Sequence, residues 1–300
     1  MIEELEKMVS AGNVFAGRNL KEYTTFKVGG PAKAVVNVDS TKELKELVSF
    51  LNKEEIPYFI IGNGSNLLVS DEGYEGVVIK LSGDFLSLSS EGESITAGAG
   101  VILSKVCNLA LDKSLSGLEF AYGIPGTVGG AMVMNAGAYD GEMSYVVESV
   151  EMLSKAGEVE TFSCKDMHFG YRDSILKHEE FIILSVRFSL KKANESEIRA
   201  KMNDFMDRRR SKQPLEFPSA GSTFKRPEGY FAGKLIMDAG LAGKRVGGAS
   251  VSTKHCGFVI NDKNGTASDI DTLMKEVTKT VYDKFGVILE PEVIRIGHFN

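Results

Sequence analysis

The stretch YGIPGTVGGAMVMNAGAYDGE, residues 122–142, carries five glycines in its core, Gly126, Gly129, Gly130, Gly137 and Gly141, around the apolar run AMVM at 131–134. Glycine lets the backbone take positive φ and lets another group approach the main chain closely. A flexible linker of this glycine density would be polar and serine-rich, whereas this one is apolar. It reads as a buried turn–helix segment with a flat or phosphorylated ligand lying against it. The N–H groups at the helix start would face the anion. A tight helix–sheet crossing with no ligand would carry the same glycines.

Outward from that stretch, short elements follow one another quickly. Upstream, 102–112 has the spacing of a helix, and 76–81 and 94–97 read as strands. Before them, Leu44, Leu47, Val48 and Leu51 recur at helical spacing over 41–52, between apolar strands at 33–38 and 58–62. Strand, helix, strand implies a parallel pairing. The second of these strands runs into GNGSN, 62–66, which could be an anion-binding nest or an Asn-Gly hairpin turn. At the N-terminus Leu5, Met8 and Val9 share one face of a short helix. Downstream, strands are expected at 146–153, 157–162 and 181–190, around the irregular MHFGYRDSIL. Many short strands with few helices point to a sheet-rich α+β region, not a Rossmann fold.

Near Lys191 the composition turns highly charged, with Ile198, Met202, Phe205 and Met206 marking an amphipathic helix. A domain boundary is placed there. Beyond it, strands at 222–224, 257–261 and 293–296 alternate with helices at 232–239 and 268–285. That is a compact α+β domain of about 100 residues.

The bulk numbers narrow the classes. Hydrophobic content of 43% with 25% charged residues is that of a globular protein, and 300 residues imply about two domains. A net charge of −6 argues against a nucleic-acid binder. Cys107, Cys164 and Cys256 are widely separated, which fits a reducing compartment. The start, MIEELEKMVS, is acidic and amphipathic, unlike a signal peptide, and no apolar run approaches the ~20 residues that span a bilayer. A cytoplasmic protein with no membrane partner is expected.

Several signatures fail. GNGSNL has Leu67 where a dinucleotide fingerprint needs its third glycine, and GLAGKR lacks the Walker spacing. The four histidines are scattered, so no metal site is expected. Three polar residues remain. Ser222, in PSAGSTFKRP, lies between a glycine turn and an apolar start, where most serines are turn residues. Arg172, in FGYRDS, sits among aromatics, where an ion pair with Asp173 is the commoner role. Glu292, in LEPEVIRIG, shares a strand face with Ile294 and Ile296. A carboxylate on an apolar face is costly unless paired, and its pKa tends to rise. The cations Arg208, Arg209, Arg210, Lys212, Lys225, Arg226 and Lys234 gather around Ser222 in sequence and would suit a diphosphate.

GNGSNLLV, GIPGTVGGAMVMNAGAYDGE, FGYRDS, PSAGSTFKRP, GKLIMDAGL and LEPEV occur in the order seen in UDP-N-acetylenolpyruvoylglucosamine reductases, flavoenzymes of bacterial cell-wall precursor synthesis. The chain resembles that family from about residue 19 to residue 297. The resemblance implies an α+β fold: an FAD-binding region of the vanillyl-alcohol-oxidase (PCMH) type at 19–190, in subdomains of about 19–80 and 81–190, then a substrate-binding domain at 191–300, with 1–18 as an N-terminal helix. It implies FAD held by Gly62, Asn63, Gly64, Ser65, Asn66 and Leu67, and by Tyr122, Gly123, Ile124, Pro125, Gly126, Val128, Gly129, Gly130, Asn135, Ala136 and Gly137. NADPH would reduce the flavin, and UDP-N-acetylglucosamine enolpyruvate would accept hydride at its terminal methylene. Arg172 and Glu292 would stabilise the enolate, and Ser222 would protonate the adjacent carbon. Arg226, Lys212, Lys225, Lys234 and Tyr171 would bind substrate.

One class in the family inserts a tyrosine-bearing loop between the FGYRDS and serine motifs. Only 181–190 and the charged helix lie there in this chain, so it resembles the shorter class. Arg226 stands in KRP where the other class is similar to KNP, and is thus expected to grip the diphosphate. Two other readings are another FAD oxidase of the same superfold and a redox-inactive nucleotide-sugar module. The serine motif with LEPEV argues against the first, and the two intact glycine loops against the second. A monomer or weak homo-oligomer is expected.

Overall fold

The computed structural model describes residues 1–299, and they divide into two compact units, each with its own core. The first comprises Met1–Ala16, Ala34–Asn63 and Gly76–Arg209. Its larger sheet has five strands in the order Val159–Ser163, Val147–Ser154, Phe181–Ser189, Ser94–Gly98, Leu88–Glu91, all antiparallel. Phe181–Ser189 is central because FIILSVRFS offers apolar side chains to both faces, as a strand covered on both sides must. Helix Leu103–Asp112 buries Leu103, Val106, Cys107, Ala110 and Leu111, one stripe at helical spacing. Helix Thr41–Lys53 starts where the Ser40 hydroxyl accepts from the Glu43 N–H, and buries Leu44, Leu47, Val48 and Leu51.

The smaller sheet corrects one expectation. Ala32–Val38 and Tyr58–Ile61 do flank helix Thr41–Lys53, but they do not pair with each other. Tyr74–Leu81 lies between them, parallel to Tyr58–Ile61, in the order Val14–Ala16, Ala32–Val38, Tyr74–Leu81, Tyr58–Ile61. The crossover leaves a gap one strand wide, which a later segment fills.

The second unit comprises Gly17–Lys33, Gly64–Glu75 and the chain from Arg210 onward. Helix Ala267–Phe285 buries Ile270, Leu273, Met274, Val277 and Val281. Its N-terminus has a capping box between Thr266 and Asp269, and Asp71 accepts from the N–H groups of Ala267 and Ser268, both at 2.8 Å. Gly286, at φ +67, ends it in the left-handed conformation. Ile294–Ile296 pairs in parallel with Leu67–Val69. This partnership removes the hairpin reading of 62–66, because the strands on either side of that loop pair with different partners.

Two further expectations change. The chain passes from one compact unit to the other between Arg209 and Arg210, inside helix Glu195–Lys212 and beyond Lys191, because Ile198 and Met202 belong to the first core. The compact units are not contiguous spans: segments of both alternate along the chain. Residues 222–224 form no strand; Phe224 makes a single bridge to Pro291.

Candidate active site

In the first unit the two glycine loops come together. Asn63 donates its side-chain amide to the Pro125 carbonyl at 2.7 Å. Gly62 lies against Thr127, so that a Cβ there would collide with Thr127 Oγ1. Thr127 caps helix Val128–Val133, its hydroxyl accepting from the Gly130 N–H. The helix start itself does not behave as expected for an anion site. The Val128 N–H donates to Val101 and the Gly129 N–H to Ala99, each at 2.8 Å. Gly129 permits this crossing, since a Cβ there would sit 3.2 Å from the Ala99 Cβ. Gly129 of the opening stretch thus serves the helix–sheet crossing. Among the described residues, no protein acceptor takes the N–H group of Asn63.

Beside these loops is a cavity of about 350 Å³ lined by Gly62, Asn63, Gly100, Gly129 and Gly130, with Ile60, Leu86, Ile102, Val133 and Phe181 as apolar wall and Lys80 and Lys105 as cations. A mostly apolar wall with few polar groups is what a cofactor site needs. Val128 is fully buried and does not line the cavity. Asn135 is equally buried, and both ends of its amide have protein partners.

Arg172 belongs to the same unit. It sits at φ +56 in a turn closed by Gly170 N–H to the Asp173 carbonyl at 3.0 Å and the reverse bond at 3.2 Å. Its Nη2 donates to the Gly137 carbonyl at 3.2 Å, and its guanidinium lies 5.2 Å from the ring centre of the exposed Tyr171. The expected pairing of Asp173 with Arg172 is not the one formed among the described contacts: Asp173 accepts from His178, which holds its carboxyl below the usual range.

Arg209 is a residue that sequence reasoning left inside a charge run. Its Cδ would meet a Cβ on Gly123 at 3.0 Å, and burial pushes its pKa down. The signal was available, because Ile198, Met202, Phe205 and Arg209 fall on one helical stripe. Phe205 in turn stacks on Tyr139 at 4.5 Å.

In the second unit Ser222 and Glu292 are brought together through their neighbours. The Glu292 N–H donates to the Thr223 carbonyl and the Lys225 N–H to Glu290, both at 2.9 Å. Asn66 donates its amide to the Glu292 carbonyl at 3.0 Å and accepts from the Ile294 N–H, so the end of the glycine loop fixes the backbone of the glutamate. Thr223 is fully buried and its hydroxyl accepts from the Val259 N–H, which leaves Ser222 exposed beside it. Leu67 is a buried strand residue. Glu292 is half-buried and precedes the strand it was expected to join. Of the expected cations, Arg226 stacks on Phe231 at 4.0 Å and bonds the Tyr230 carbonyl. Lys225 pairs with Glu290 and Lys234 with Asp238, so both are partly neutralised. Lys212 is exposed at the end of its helix.

Two family models match the chain: an FAD binding domain over residues 32–163, and the UDP-N-acetylenolpyruvoylglucosamine reductase C-terminal domain over 213–296. The UDP-N-acetylenolpyruvoylglucosamine reductase of Caldanaerobacter subterraneus subsp. tengcongensis is 49% identical, across 99% of this chain and 98% of its own. The chain belongs to the UDP-N-acetylenolpyruvoylglucosamine reductase family. A second such reductase, from Lachnoclostridium phytofermentans, is 46% identical over 99% of this chain and 97% of its own. The crystal structure of the family member from Thermus caldophilus matches with a TM-score of 0.81 at 38% identity, covering 95% of this chain and 98% of that one. As a reductase of this family the protein is an FAD-dependent oxidoreductase with a PCMH-type FAD-binding region. The residues present fit that cofactor, since the unused N–H group of Asn63 suits an anionic group and the apolar cavity beside it suits a flat one. Its three cysteines are free, and no described helix is long and apolar enough to cross a membrane.

Proposed function

We propose that this reductase converts UDP-N-acetylglucosamine enolpyruvate to UDP-N-acetylmuramate with NADPH as reductant, a cytoplasmic step in peptidoglycan precursor synthesis. The single observation that carries this reading is the end-to-end identity of 49% with a reductase of that name, alongside an intact Ser222–Glu292 arrangement. Bound FAD carries the electrons from NADPH to the enolpyruvyl double bond.

The chain's own residues do the rest. Negative charge that builds beside the substrate carboxylate is stabilised by preorganised donors. Arg172, held in its strained turn, supplies a guanidinium, and Glu292 supplies a hydrogen bond. Ser222 hands a proton to the carbon that bears the charge. Its exposure and the fixed backbone of Thr223 suit this, because a weak acid is effective only when placed on its target. Arg226, stiffened by its stack on Phe231, is the cation best prepared for the diphosphate.

Purified protein should be yellow, and its NADPH oxidation should depend on the enolpyruvyl sugar nucleotide. A preparation unable to take up FAD overturns the reading. Ser222→Ala should leave flavin reduction by NADPH near normal while slowing substrate reduction roughly 10²–10⁴-fold. Equal losses in both half-reactions would remove Ser222 as the proton donor.

A further inference from the structure

We propose that Asn135 is a positioning residue for Arg172, setting both the turn that carries the arginine and the carbonyl that receives its guanidinium. The proposal rests on the reading of Arg172 given above. Asn135 is 1% exposed and sits at φ +38, immediately after helix Val128–Val133. Its N–H bonds the Met132 carbonyl, and the next N–H, of Ala136, bonds Ala131 at 2.8 Å. That is a Schellman ending with asparagine at the left-handed position, where it is the best-tolerated residue after glycine. The backbone of Asn135 therefore directs Gly137, two residues on, whose carbonyl accepts from Arg172 Nη2.

The side chain acts at the other end. Its Nδ2 donates to the Gly170 carbonyl at 3.0 Å, and its Oδ1 accepts from the Ser144 N–H at 3.0 Å. Gly170 is the first residue of the turn that holds Arg172. A positive φ at the third turn position belongs by preference to glycine or asparagine, so an arginine there persists only if its surroundings hold it. The Gly170 carbonyl also accepts from the Asp173 N–H at 3.2 Å, and the two donors together fix the base of the turn. The Ser174 hydroxyl adds a bond to Val133, one residue beyond the turn. Asparagine is the side chain that this geometry requires, since it must donate and accept at once while keeping positive φ.

The test uses FAD-loaded enzyme. Asn135→Gly keeps the backbone conformation and deletes the side chain. Asn135→Asp keeps the acceptor for Ser144 and loses the donor to Gly170. Flavin content, flavin spectrum and flavin reduction by NADPH are measured on each variant first, because the family resemblance also places Asn135 beside FAD. Reoxidation by the enolpyruvyl substrate should slow about 10- to 100-fold, the effect of one lost buried hydrogen bond on a charge-stabilising group. Combined with Arg172→Ala, either substitution should add almost nothing, because Asn135 acts through the arginine. Additive losses, or loss of FAD from the single variants, overturn the proposal. A harmless Arg172→Ala would instead overturn the reading of Arg172, and the positioning role with it. Should Asn135→Gly fail to fold, the cycle with Asn135→Asp decides.

Discussion

At the scale of single residues, chemistry and packing make different demands on the same positions. Gly62 faces the cavity, yet what requires a glycine there is Thr127, whose hydroxyl occupies the place of a Cβ. Gly62→Ala should therefore push the capping threonine away and disturb the loop that offers the Asn63 N–H. Overpacking of this kind costs about 1–3 kcal/mol, so FAD affinity should fall by roughly 10- to 100-fold. Titration of apoprotein with FAD checks it, and unchanged affinity would mean that the loop does not hold the cofactor. Arg226→Ala should raise KM for the sugar nucleotide with FAD retained, since the arginine stands exposed on Phe231 in the second unit. An unaltered KM removes it from the site. These residues were legible because glycine, serine and charge stand out in a sequence. Asn135 was legible only as a member of the glycine stretch, and Arg209 only as one of a charge run. Their roles depend on partners more than 30 residues away, such as Gly170 for Asn135.

Elements follow their periodicity wherever a single face is buried. The helices at Thr41–Lys53, Leu103–Asp112 and Ala267–Phe285 lie within a residue or two of where the apolar spacing puts them, because each buries one stripe. Strand existence was equally plain, but strand partnership was not. Tyr58–Ile61 pairs with Tyr74–Leu81, and Leu67–Val69 with Ile294–Ile296; an alternating pattern names a face and never a partner. Residues 222–224 failed as a strand because the segment has one bridge, to Pro291, and proline cannot extend a ladder. The N-terminus of helix Ala267–Phe285 offers a test at this scale. Asp71, far away in sequence, accepts from two of its N–H groups, adding to the local capping box. Asp71→Ala should lower stability by about 1–2 kcal/mol in denaturant titrations, with Asp71→Asn intermediate. A loss below a few tenths of a kcal/mol would show that Thr266 and Asp269 suffice alone.

For the whole molecule, the division into units was the least legible feature, because each unit is assembled from three separate segments. Asn66 and Glu292 are 226 residues apart in the second unit, yet the Asn66 side-chain amide donates to the Glu292 carbonyl and the Asn66 carbonyl accepts from the Ile294 N–H. No local composition shift can report such a join. The family resemblance located the site residues, but the physics of the units appears in a property of the entire chain, its response to acid. Burial pushes the His255 pKa down, and its Nδ1 accepts from the Gly257 N–H, so the native state holds the imidazole neutral. The unfolded chain protonates the same ring near pH 6.5. As pH falls below that value the unfolded state takes up the proton first, and stability declines until the folded value is passed. A second group of shifts lies lower. The Ser82 hydroxyl and the Asn13 amide hold Asp39 below its ordinary range, and Arg245 does the same for Asp262 through bonds of 2.7 and 2.8 Å. Their contribution is complete above the unfolded carboxylate pKa of about 3.9 and is lost as pH falls through the lower folded values. Stability against urea should thus fall in two stages, one beginning near pH 6.5 and one near pH 4. His255→Gln should remove the upper stage and leave the lower, while Asp262→Asn should leave the upper stage and only soften the lower, to which Asp39 still contributes. If the upper stage survives His255→Gln, the buried imidazole is not its source.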